Sequence, residues 1–262
     1  KIEALDRIFQ VNSGRSSWTG SGRVSLKIHT KDVFEGLAIR SLESGIDLGS
    51  RYSAYSILRL AALFHDTGKF VEHLAQDGNH AEIAEIIRMI DLSTQRTRTE
   101  PQWNDFLGAV QRMQENLHDP NLHEEVSQTL ARLFLPILGV HDAVEAELVV
   151  EVMKKDKLGA MSDGARGNWM NRMAIPEIDR EMGLSSTLMV GFQGHGYWTL
   201  LRNVLTMSSA LYVADTRISR GIRGQVLRQD ASGEWELSPD SIPRWRDYFA
   251  HVEQESDREE AI

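Results

Sequence analysis

The adjacent pair His65-Asp66 stands at the end of an apolar run, Leu58-Arg59-Leu60-Ala61-Ala62-Leu63-Phe64. A run of that kind belongs in a buried helix, and it delivers an imidazole and a carboxylate into the interior. Burying either group without a partner costs several kcal/mol, roughly 2–7 for a neutral polar group and more for a charge. A metal cation compensates both at once, because neutral imidazole and ionised carboxylate are both metal ligands. The alternative is a hydrogen-bonded His–Asp pair in the core.

Other residues of the same types sit in similar settings. The nine histidines fall at 29, 65, 73, 80, 118, 123, 141, 195 and 251. His29 opens one helical pattern, His80 opens another, and His141 closes the run Leu133-Phe134-Leu135-Pro136-Ile137-Leu138. Asp215 follows the apolar stretch Ala210-Leu211-Tyr212-Val213-Ala214. Each has a structural reading by itself, as a satisfied core histidine or a buried capping carboxylate. Together they are hard to satisfy by hydrogen bonds, and a shared metal site satisfies them jointly. His118 and His123 could be rival ligands, though both lie in a polar stretch, NLHDPNLHEE; His73 and His195 rank with them, and His251 reads as surface.

The elements that must position these groups read as helices. Three- and four-residue apolar spacing predicts helices over about 29–46, 52–64 and 81–90, with a short turn at 70–75. A polar break at 93–101 precedes an amphipathic helix near 102–117. Helical segments come next at 123–139 and 143–154, joined around His141. Residues 156–196 are glycine-rich with a short helix expected near 176–190, and 198–220 reads as the last long helix. The stretch QVLRQDASGEWELS predicts a small β-hairpin, trailed by a terminal helix near 243–255. The expected organisation is a lead-in loop over 1–27, one helical domain over 28–225, and a hairpin-and-helix appendage over 226–262. No internal repeat is visible.

Composition narrows the function classes. The chain has 262 residues, no cysteine and a net charge of −9. Disulfides and thiolate metal sites are excluded, and a reducing cytoplasm is the expected compartment. No uninterrupted apolar stretch of ~18 residues exists, so no membrane span is expected. The acidic balance disfavours a generic electrostatic grip on duplex nucleic acid, though local basic patches remain open. No Gly-x-x-x-x-Gly-Lys-Ser/Thr loop and no Gly-x-Ser-x-Gly elbow is present. The aromatics Trp169, Phe192, Tyr197 and Trp198 could stack a base, but core packing is the expected role for most of them.

The segment LRLAALFHDTGKF resembles the central motif of the HD superfamily of metal-dependent phosphohydrolases, His-Asp followed by a small residue, Gly and Lys. The opening KIHTKDVFEGLAIRSL is similar to that family's first-helix motif, and the 36 residues from His29 to His65 suit a helix, a loop and a second helix. GNHAEIAEII and LPILGVHDAV are similar to the histidine segments of two-metal members. The resemblance covers roughly residues 28–220 and is strongest over 28–90. It implies a mainly α, HD-type helical bundle carrying one or two divalent ions, drawn from Mn, Ni, Co, Fe, Mg and Zn. It further implies that His29, His65, Asp66 and Asp215 bind one ion, and that Asp66 bridges to a second ion on His80 and His141. Two-metal relatives often have His-His where this chain has His141-Asp142, which leaves the last ligand of the second ion open, with Asp142 a substitute.

The reaction implied by that resemblance is hydrolysis of a phosphoester by metal-activated water. Asp66 and Lys69 would be the catalytic groups, and Lys69, Arg217 and Arg220 would meet the substrate phosphate. Thr30 and Asp142 could orient ligands. The expected substrate is a nucleotide or nucleic acid, because the wording is especially similar to HD domains of RNA-processing enzymes and CRISPR nucleases; a larger nucleic-acid-processing complex is the corresponding partner. Two alternatives stand beside this reading: a non-catalytic regulatory or interaction module that retains the metal site, and an oxygen-dependent HD oxygenase using iron.

Overall fold

The computed structural model describes residues 2–16, 23–37, 46–117, 119, 122–155, 183–194, 196–220, 227–229 and 235–237. Within them the chain is mainly helical. The helices are α1 (Glu3–Gln10), α2 (Leu26–Gly36), α3 (Ala54–Phe64), α4 (Lys69–Gln76), α5 (His80–Thr94), α6 (Glu100–Glu115), α7 (Leu122–Phe134), α8 (Ala143–Lys154), α9 (Ser186–Gly191) and α10 (Tyr197–Arg220). None of the described helices is long and apolar enough to cross a membrane.

Helix α3 is the centre of the bundle. Ser53 caps its start by accepting from the Ser56 amide, and Ile57, Leu58, Ala61, Ala62 and Phe64 are all buried. Each large apolar side chain buried there contributes about 1.5–3 kcal/mol. It packs against α2, α7, α8 and α10, and α10 in turn lies across α2 and α8. Beyond Phe64 the chain tightens: the amides of Thr67, Lys69 and Phe70 bond to carbonyls three residues back. This 3₁₀-like winding turns the chain out of α3 and into α4 within four residues.

Elsewhere, local signals set the boundaries. A capping box of Thr99 and Gln102 with a proline in the first turn starts α6. Pro136 comes soon after α7, where no further helical amide can be donated. Asp142 caps α8 by accepting from the amides of Val144 and Glu145. At the far end of α8 the fully buried Lys155 pairs with buried Glu151 at 3.0 Å and donates to the Gly183 carbonyl at 2.8 Å.

Several sequence expectations need correcting. The lead-in over 1–27 contains α1, whose Ala4, Leu5 and Ile8 are buried, with the helix packed on α5. It also contains β1 (Asn12–Ser16), antiparallel to β2 (Arg23–Ser25); its Ser- and Gly-rich wording has no apolar alternation to announce a strand. Helix α2 ends at Gly36, short of the expected 46, and residues 38–45 lie outside the described part. The turn expected at 70–75 is the full helix α4. The C-terminal hairpin remains unsupported as an element of the fold. Two three-residue segments, β3 (Leu227–Gln229) and β4 (Trp235–Leu237), lie antiparallel, but the turn between them and the helix expected near 243–255 fall outside the described residues.

Candidate metal centre

Four side chains from three separate parts of the chain converge at the C-terminal end of α3. His29 comes from the first half of α2, His65 and Asp66 from the end of α3, and Asp215 from α10. One ligand atom from each lies within 4.8 Å of the others, a grouping that could hold a metal ion. His29 Nε2 is 2.9 Å from Asp66 Oδ2 and 3.0 Å from Asp215 Oδ1. His65 Nε2 faces the same two oxygens at 3.7 and 3.8 Å. His29, His65 and Asp66 are buried, and the Asp215 side chain is 14% exposed.

The geometry distinguishes this cluster from an ordinary polar core. His65 Nδ1 lies 2.9 Å from the Ala62 carbonyl, and a carbonyl can only accept. Nδ1 therefore donates to that carbonyl, and Nε2 points into the cluster, where it has no hydrogen-bond partner. His29 Nε2 meets two carboxylate oxygens, but one N–H cannot serve both well. Two carboxylates and two imidazoles around one point are the donor set that a divalent cation of the first transition series or Mg satisfies. The residues present fit such an ion.

The electrostatics carry the same stamp. Burial opposes charge on His29, yet hydrogen bonding and attraction from Asp215 and Asp66 push its pKa up to about 9. Burial also opposes charge on Asp66, and Lys69, His65 and His29 together hold it well below the usual carboxylate range. The cluster thus keeps Asp66 ionised inside the protein, the form a cation needs.

Lys69 begins α4 and is buried; its Nζ bonds to Asp66 Oδ2. Gly68, beside it, is required by contact: a Cβ there would collide with the His123 carbonyl. The Gly68 amide donates to the buried Ser127 hydroxyl at 2.8 Å, which fastens α7 against this turn. That docking brings in His123, which its polar neighbours make only a rival candidate in the sequence. His123 Nε2 lies 3.8 Å from Asp66 Oδ1, and its Nδ1 lies 3.8 Å from Glu72 Oε2. The two oxygens of Asp66 therefore face different histidines. No periodicity marks His123; the sequence signal for it is the glycine at 68, whose missing side chain admits a neighbouring backbone.

The other expected site residues are not brought here. His80, the first residue of α5, and His141, between α7 and α8, are both exposed and lie outside the cluster. His80 starts a helix whose buried face is formed further along by Ile83, Ile86 and Ile90, and His141 follows buried Val140 in the connection to α8, so both imidazoles stay at the surface. Asp142 is engaged elsewhere: it caps α8, pairs with Arg51 and lies 3.4 Å from the Tyr52 hydroxyl. Burial works against its charge, but the two amides and Arg51 hold its pKa below the usual value. Thr30 is buried beside His29. Arg217 and Arg220 lie on α10 beyond Asp215, with side chains outside the described residues. His118 and His195 also lie outside them, as does Trp169, whereas Phe192 packs its ring 5.5 Å from that of Tyr52.

No family model matches the chain, and comparison with curated proteins and with solved structures returns no match.

Proposed function

We propose that this protein is a metal-dependent phosphohydrolase of the HD type, cleaving a phosphoester of a nucleotide or nucleic acid. The observation that supports this best is the convergence of His29, His65, Asp66 and Asp215 on one point, with His65 Nε2 turned towards it. A purely structural polar core has no need of four such groups from three chain segments, because each costs desolvation free energy.

His29, His65, Asp66 and Asp215 would hold one divalent ion. Should two be bound, Asp66 Oδ1 and His123 Nε2 face the place for the second, with Glu72 on the other ring nitrogen to orient the imidazole, instead of His80 and His141. Such an ion, when bound, lowers the pKa of coordinated water and offsets charge on phosphate oxygens. The chain's own contribution is positional. Ala62 fixes the ring of His65, Gly68 and Ser127 fix the turn that carries Asp66, and burial of His29, His65 and Asp66 keeps bulk water from them. Lys69 supplies a buried positive charge beside the reacting groups.

The test is a phosphoester screen with the metal-stripped protein reloaded with Mn, Co, Ni or Mg, against phosphodiesters, nucleotides and nucleic-acid ends. Metal-restored hydrolysis of at least one class, lost in Asp66→Ala, is the expected result. Metal binding with inertness towards every class would leave a regulatory module that keeps its metal.

A further inference from the structure

The oxygen that His29 approaches on Asp66 is the same one that Lys69 occupies. Oδ2 meets His29 Nε2 at 2.9 Å, His65 Nε2 at 3.7 Å and the ammonium of Lys69 within hydrogen-bond reach. Oδ1, by contrast, faces His123. A carboxylate oxygen offers two lone-pair directions, and a cation ligated by the cluster requires the one on the histidine side. An ammonium on the same atom then stands beside a divalent charge in a buried setting, where like charges repel strongly.

We propose that Lys69 is a built-in monovalent cation that a divalent ion must displace from Asp66, so that this lysine sets the metal affinity of the site. Its place in the fold suits that role. Lys69 is the first residue of α4, three positions after Asp66, and is 5% exposed. Its side chain is short of freedom but not of donors: an ammonium has three N–H groups, and Asp66 is the acceptor shown for it among the described residues. Without any cation on Asp66, the two carboxylates of the cluster face each other across two imidazoles. The lysine relieves that repulsion together with His29, and its removal leaves the site one positive charge short, which a metal ion can supply. This inference rests on the metal-centre reading and adds to it a competition for one oxygen atom.

The experiment compares the full chain with Lys69→Met and Lys69→Arg. The Mn²⁺ dissociation constant is measured by chelator competition starting from metal-loaded protein, so that a variant unstable without metal still reports. In parallel, the thermal midpoint is read in excess chelator. Lys69→Met is expected to hold Mn²⁺ tighter by about tenfold or more and to melt lower in chelator. Lys69→Arg, which keeps the charge, stays within about threefold of the parent affinity. Equal or weaker Mn²⁺ binding by Lys69→Met overturns the competition while leaving the metal centre standing. Absence of Mn²⁺ binding by the parent protein overturns the metal centre itself, and the competition with it.

Discussion

His65 Nδ1 donates to the carbonyl of Ala62 at 2.9 Å, one turn back in the helix that delivers it. The bond does more than anchor a ring. It commits Nδ1 to donating, and so makes Nε2 the nitrogen that a neutral ring would offer to a cation beside Asp66 and Asp215. Nitrogen-15 NMR of the imidazoles is the direct check: His65 Nε2 should give the shift of an unprotonated nitrogen without metal and move on adding a diamagnetic cation such as Zn²⁺. A protonated Nε2 that ignores the cation would show that His65 is a core histidine.

The turn after α3 is held by contacts that tolerate little change. Gly68→Ala forces a methyl group into the His123 carbonyl and should destabilise the protein by about 1–3 kcal/mol. Ser127→Ala strips the buried Gly68 amide of its acceptor and should cost about 1–3 kcal/mol. Chemical denaturation of both variants measures these losses. Parent-like stability in Gly68→Ala would mean that α7 is not packed against this turn.

The pH dependence of metal-free stability has a definite sign. His29 has a folded pKa near 9 against an ordinary 6.5, so its contribution is complete below about pH 6.5 and is lost as pH rises towards 9. Asp66 is shifted the other way; its contribution is present above the usual carboxylate pKa near 3.8 and is lost as pH falls through the lower folded value. Thermal melts in chelator should therefore decline on the alkaline side between 6.5 and 9. A midpoint that rises through that window would contradict the pairing of His29 with two carboxylates.

Much of the candidate cluster was legible because its residues interrupt strong patterns. His65-Asp66 ends an apolar helix, and Asp215 follows an apolar stretch; both stand out because buried charge is expensive. His80 and His141 stand out in the same way, and there the pattern misleads for a physical reason. A residue at a helix end can turn to solvent while its apolar neighbours stay inside, and spacing alone does not reveal which way it turns. His123 shows the converse: polar neighbours on one face of a helix start say nothing about a side chain on the other face. The ionic pair of Glu151 and Lys155 was also invisible, since a Glu and a Lys four apart read as an exposed helical pair.

That pair gives a prediction independent of any metal. Lys155 has no exposed surface and its partner Glu151 has almost none. Lys155→Met alone should cost about 3–5 kcal/mol, because it strands a buried carboxylate. Replacing both residues with Met should recover most of the loss. An exposed pair would give a change near zero in the single variant, and denaturant midpoints distinguish the two.

Asp142 offers a control for the placement of the second histidine group. As the cap of α8 it should cost about 1 kcal/mol when replaced by Ala. The Mn²⁺ stoichiometry of Asp142→Ala should equal that of the parent. A lost ion in this variant would return His141-Asp142 to the site and displace His123 from it.

Whether His29, His65, Asp66 and Asp215 together hold a divalent cation is decided by equilibrium dialysis of the metal-stripped protein against Mn²⁺. Bound metal is read by elemental analysis, with Asp215→Ala and His65→Ala run alongside. The parent chain should retain at least one ion per molecule, and both variants should keep their helical circular dichroism while losing that ion. A parent that retains no Mn²⁺, or folded variants that retain as much as the parent, would contradict a shared metal centre.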